Sequence, residues 1–140
     1  MIDLKHINSK KGYIYYLASP NNATQKYLYK TKLNGKGKNK LVSPESLIGS
    51  HDYSFSSNGT YAQHTFTNHY TPRSREFISV ANHKALSKEE SIVHNLKNLE
   101  EKATTEFFTI TTADNVEMDG WMVKPTNFDP NKKYPVVFYV

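Results

Sequence analysis

The sequence predicts a mainly β chain: propeller-type strand units, one connecting helix, and a last strand belonging to a different kind of sheet. Three observations predict it. From Tyr13 to Ala81, aromatic and β-branched residues fall in short runs broken by Gly, Asn and Pro, the composition of strands joined by turns. A strand–turn–strand pattern recurs, with Gly12 matched by Gly59 at an offset of 47 and Tyr29 by Phe77 at 48, a period typical of propeller blades. Finally, Val136-Val137-Phe138-Tyr139-Val140 is apolar without alternation, as in a strand buried on both faces of a mostly parallel sheet. Such a strand needs neighbours, so the chain is expected to be a piece of a larger protein.

In order, Tyr13–Ala18 reads as a strand closed by Ser19-Pro20-Asn21-Asn22, and Tyr27–Leu33 as a second closed by Asn34-Gly35. Lys40–Ser43 is a short third. The unit restarts at Tyr53-Ser54-Phe55, turns at Ser56-Ser57-Asn58-Gly59, and continues through strands at Tyr61–Thr67 and Glu76–Ala81. Ser87-Lys88-Glu89-Glu90 fits a capping box, and Ile92, Val93, Leu96 and Leu99 give one apolar stripe on a helix ending near Lys102. Phe107–Thr112 and Val116–Lys124 form a hairpin around Ala113-Asp114-Asn115, with Asp114-Asn115 and Asp119-Gly120 read as turn and bulge residues. Pro125 ends the hairpin, and Phe128-Asp129-Pro130-Asn131-Lys132-Lys133 leads as a loop to Tyr134-Pro135 and the apolar run.

The formal charge of +5 raises nucleic acid or an anionic membrane as a partner. Its distribution points elsewhere: Lys36, Lys38 and Lys40 alternate with Gly35, Gly37 and Asn39, while Lys10 and Lys11 precede Gly12. These are solvated turn positions, and no basic helix or stacking signature accompanies them. No nucleic-acid partner is expected. Cysteine is absent, which excludes disulfides and thiolate metal sites. The first residues carry no signal-peptide core.

The six histidines show no metal-ligand spacing. His64 and His69 would face opposite sides of one strand, and His51 has no partner at a ligand interval, so they read as surface or structural residues. Gly49-Ser50-His51 lacks the second glycine of a nucleophile elbow. Asn22-Ala23-Thr24 and Asn58-Gly59-Thr60 match the glycosylation pattern but read equally as turns. No catalytic, cofactor-binding or metal residue is assigned within the chain.

Three stretches carry a family resemblance: Asp52 to Tyr61, Lys84 to Glu101, and Phe107 through Trp121-Met122-Val123-Lys124-Pro125 to Lys132-Lys133-Tyr134-Pro135 and the apolar tail. Together they resemble the junction in dipeptidyl peptidase IV-type serine peptidases of the prolyl oligopeptidase clan. The resemblance implies a partial β-propeller with a connecting helix and the first strands of an α/β-hydrolase domain. It places the end of the penultimate blade at 1–45, the last blade at 46–86, the connecting helix at 87–104, and the first hydrolase hairpin and third strand at 105–140. The parent enzyme would release N-terminal dipeptides with proline or alanine second, and would be exported to the periplasm or cell envelope. Its peptide substrate would meet a Ser-Asp-His triad and an oxyanion tyrosine lying after Val140, and glutamates from an earlier blade. The chain alone is then expected to be inactive, without cofactor, and to self-associate through open sheet edges. Two alternatives stay open: an acylaminoacyl peptidase-type enzyme of the same clan, or a free-standing β-rich binding module.

Overall fold

The computed structural model describes residues 2–96 and 105–139. They belong to two compact units, residues 1–101 and 102–140. The first unit holds two four-stranded sheets. One runs β1 (Ile2–Asn8), β2 (Tyr13–Ala18), β3 (Tyr27–Lys32) and β4 (Lys40–Leu41); the other runs β5 (Ser50–Phe55), β6 (Tyr61–Thr67), β7 (Ser74–Ser79) and β8 (Lys84–Ala85). Each is an antiparallel meander in chain order. Gly12 and Gly59 end the first turn of each sheet at φ of 69° and 64°, a conformation in which a Cβ is strained. At Gly59 space is also lacking, since a Cβ would lie 2.5 Å from the His6 ring.

Alternation decides which faces meet. Tyr15 and Leu17 on β2 and Leu28 on β3 turn the same way, and pack with Tyr53, Ala62, Ile78 and Val80 of the second sheet in one buried cluster. The join between the sheets is also a backbone one: the His51 amide donates to the Lys26 carbonyl at 2.8 Å, and the Lys26 amide to the Gly49 carbonyl at 3.1 Å. Strand β1 has no counterpart in the sequence reading. Its alternation is broken by a register shift between Leu4 and His6, which hides the period of two.

The helix differs from expectation at its start. α1 spans Ile92–Asn95 and its N-cap is Ser91, whose side chain accepts from the His94 amide. The Ser87 hydroxyl instead bonds the Glu89 carboxylate at 2.6 Å. Tertiary anchoring explains the shift. Ile92 is buried with Leu47 and Phe66, with Leu96 packed against them, so burial of Ile92 fixes the first turn rather than the local capping pattern. The expected continuation through Leu99 to Lys102 lies outside the described residues.

The second unit is built on a hairpin of β9 (Thr105–Thr111) and β10 (Glu117–Val123) in unbroken register. Asn115, at φ 61°, turns the chain. The bulge expected at Asp119-Gly120 is absent. Gly120 sits opposite Phe108, and a Cβ there would lie 2.5 Å from the Phe108 ring, so the glycine leaves room for an aromatic lying across it. Gly120→Ala is expected to displace that ring and lower the unfolding midpoint of the hairpin, costing about 1–3 kcal/mol as for other overpacked sites. Near-ultraviolet circular dichroism and amide exchange in β9–β10 check it.

The expected strand at Val136–Val140 is not formed among the described residues. Residues 134–139 pair with no strand, and Val137, Phe138 and Tyr139 are 93, 87 and 89% exposed. Apolar β-branched residues favour a strand only where a ladder partner exists. Just before it the loop is ordered: Tyr134 stacks on Phe128 at 5.2 Å and its hydroxyl accepts the Asp129 amide.

Candidate functional site

Among the described residues, three buried polar side chains, His51, His64 and Glu76, lie together inside the second sheet. Register puts them there. Tyr53 on β5 faces His64 on β6, and His64 faces Glu76 on β7. His51, two residues before Tyr53, shares its face. His64 and His51 are 0 and 1% exposed and Glu76 is 4% exposed, so each must find its hydrogen bonds within the protein.

They find them in a line. His51 Nε2 lies 2.8 Å from the Leu47 carbonyl oxygen, which only accepts, so that nitrogen donates. His51 Nδ1 lies 2.9 Å from His64 Nε2. His64 Nδ1 lies 2.7 Å from Glu76 Oε1, and Glu76 Oε2 accepts the amide of Ile92, the first residue of α1, at 3.0 Å. The relay therefore runs from the chain before β5, across three strands, to the start of the helix.

A second branch lies beside it. The Tyr53 ring stacks on His64 at 4.6 Å. The Leu28 amide donates to Ser43 Oγ at 2.8 Å, Ser43 and Tyr53 hydroxyls meet at 3.1 Å, and the Tyr53 hydroxyl reaches His83 Nε2 at 2.7 Å. A consistent assignment has Ser43 donating to Tyr53 and Tyr53 donating to His83. His83 holds a left-handed φ of 54° to reach this position.

Burial sets the electrostatics. It pulls His51 down to about 3 and His83 down to about 4, so both imidazoles are neutral near pH 7. It pushes the Tyr53 hydroxyl above the ordinary phenol range. On Glu76 burial works against the charge, but the hydrogen bonds from His64 and the Ile92 amide prevail and hold the carboxyl below its usual range.

His64, Glu76 and His83 offer ligand atoms within 4.8 Å of one another, and two imidazoles with a carboxylate are a donor set that suits zinc. The geometry is that of hydrogen bonding. His64 Nδ1 and Glu76 Oε1, at 2.7 Å, are closer than the about 3.3 Å that separates two ligands on a tetrahedral ion with bonds of about 2.0 Å. His83 Nε2 is already taken by Tyr53. Nor is this a nucleophile's base: both His64 ring nitrogens are engaged, with His51 and Glu76 rather than with a serine.

The sequence reading of structural histidines covers His51 and His64 but did not join them to Glu76. Intervals of thirteen and twelve residues match no motif, and only the strand register reveals the row. His69 lies in the turn after β6 rather than on that strand. At the two glycosylation-type sequences the asparagine oxygens accept turn amides, Asn22 from Thr24 and Asn58 from Thr60.

Two stacked four-stranded meanders repeating one topology are successive blades of a β-propeller. Residues 1–73 match the family described as the dipeptidyl peptidase IV (DPP IV) N-terminal region, just over half of the chain, and the chain belongs to that family. It is 28% identical over 138 residues to a probable dipeptidyl-aminopeptidase B of Pyrenophora teres, covering 95% of this chain and 15% of the relative. With the Penicillium rubens protein of the same description it shares 30% over 144 residues. The crystal structure of Porphyromonas gingivalis dipeptidyl peptidase 4 superposes with a TM-score of 0.70 at 24% identity, over 94% of this chain and 18% of that one. The fold is thus that of a propeller segment, and the chain spans about 15% of the length of the curated relatives it matches. No helix among the described residues is long and apolar enough to cross a membrane.

Proposed function

We propose that these residues are the propeller-to-hydrolase segment of a serine exopeptidase that releases N-terminal dipeptides with proline or alanine in second place. The observation that carries this reading is the family match over residues 1–73, supported by relatives described as dipeptidyl-aminopeptidases along nearly the whole chain. The triad of this enzyme lies outside the 140 residues. In support, the sequence has no Gly-x-Ser-x-Gly elbow, and the one buried His–carboxylate pair among the described residues is closed off by a second histidine. The segment's own work is scaffolding: it fixes the last sheet and starts the chain toward the hairpin. Kinship within the family extends the reading to an exported enzyme of the periplasm or cell envelope.

Release of a chromophore from a Gly-Pro conjugate tests it. The purified chain should release none, whereas a longer polypeptide carrying these residues should do so and lose the activity to a serine-directed phosphonate. Turnover by the 140-residue chain, or none by the longer polypeptide, would overturn the reading.

A further inference from the structure

We propose that the buried His51–His64–Glu76 relay holds one proton more than two neutral imidazoles and a carboxylate supply, and that this proton latches the second sheet to the start of α1. The argument is a count of hydrogens. Three contacts make up the line: Leu47 O to His51, His51 to His64, and His64 to Glu76. Each is a hydrogen bond only if one hydrogen lies in it. Two neutral imidazoles bring two and a carboxylate brings none. One contact would be left as two facing lone pairs.

Removing the third hydrogen is therefore costly wherever the gap falls. With both histidines neutral and Glu76 ionised, His51 Nδ1 and His64 Nε2 would oppose two lone pairs across 2.9 Å, and a net negative charge would be buried. With the extra proton the unit is neutral and every contact is filled. That proton lies between His64 and the Glu76 carboxylate, across 2.7 Å, since burial keeps His51 neutral. The second Glu76 oxygen holds the Ile92 amide, so the carboxylate's position, and with it the first turn of α1, depends on the relay staying closed.

No neighbour supplies the hydrogen in its place. From β5 the Tyr53 hydroxyl approaches His51 Nδ1 only at 3.5 Å and is spent on His83. From β3 the Tyr27 ring packs on His51 at 5.2 Å, its hydroxyl turned to Gln25. His83, following β7, meets the His64 ring edge to face at 4.9 Å, and burial holds it neutral. The latch proton comes from solvent, which makes the latch sensitive to pH.

Glu76→Gln separates this from an ordinary buried network. A glutamine can accept from Ile92 through its oxygen and donate to His64 through its amide nitrogen. That donation supplies the third hydrogen without a charge, so the variant needs no extra proton. Urea unfolding of the chain and of E76Q from about pH 5 to about pH 9 gives the test. Above about pH 7 an unfolded histidine has lost its proton while the native relay keeps one. The native state then binds more protons, and stability falls as pH rises. The wild-type unfolding constant should climb about tenfold per pH unit over this limb, and that of E76Q should stay level. On the acid side the wild type should weaken below about pH 6.5, because His51 and His83 are neutral when folded and protonated when unfolded. E76Q should weaken more steeply, because its relay needs no extra proton when folded and takes one up on unfolding.

Parallel alkaline limbs in the two proteins would overturn the proposal. The count itself is read independently, on the folded wild-type chain near pH 7, from slowly exchanging downfield proton resonances of the relay. Three such protons are expected, and two would overturn it even if E76Q does not fold.

Discussion

Replacing His64 by alanine should lower the stability of the chain by about 3–5 kcal/mol, the usual cost of removing one partner from a buried ion pair. His64 is fully buried between His51 Nδ1 and Glu76 Oε1. Without it, Glu76 keeps only the Ile92 amide as a partner in this line, and the ring that stacks on Tyr53 leaves a cavity. Desolvated charge and lost packing act in the same direction. Urea denaturation at neutral pH measures the sum. A cost below about 1 kcal/mol would put this pair on a level with solvent-exposed ones.

Phe66→Ala should cost a similar amount, about 3–5 kcal/mol, by cavity formation alone. Phe66 is fully buried, lies 5.0 Å from the His51 ring, and forms one cluster with Leu47 and Ile92. The loss should be uneven. Amides of Ile92 and Leu96 rest on this cluster, while β2 and β3 bury their side chains in the other core. Exchange at the helix should therefore accelerate well beyond that at β2 and β3, and Phe66→Leu should recover most of the loss. Equal acceleration everywhere would mean that the two clusters melt as one.

How much of this was legible follows from which residues carry their own period. Tyr13–Ala18 and Tyr61–Thr67 read as strands because β-branched and aromatic residues fill them and turns bound them, and the structure places strands at those bounds. The paired turns at Gly12 and Gly59 were legible because a left-handed residue is nearly always glycine. Strand β1 was hidden by its bulge. The helix start was misread because Ser87 and Ser91 both offer caps, and the choice between them is made by a carboxylate from β7 and by burial of Ile92. Gly120 read as a bulge because the sequence does not show that Phe108 lies across it. The relay was invisible for the same reason. His51, His64 and Glu76 become neighbours only through strand register, which is a long-range property, although Tyr53, His64 and Glu76 fall in one row once the two turns are placed. Family resemblance was legible in the junction residues, yet it said nothing of this network.

The account rests on Glu76 holding the start of α1 to the sheet, and hydrogen exchange at the Ile92 amide tests that most directly. Bonded to a buried carboxylate at 3.0 Å, this amide should exchange only on global unfolding, as slowly as the Ile78 amide in the core of β7. Exchange at the rate of an exposed turn amide, such as that of Lys36, would contradict the account.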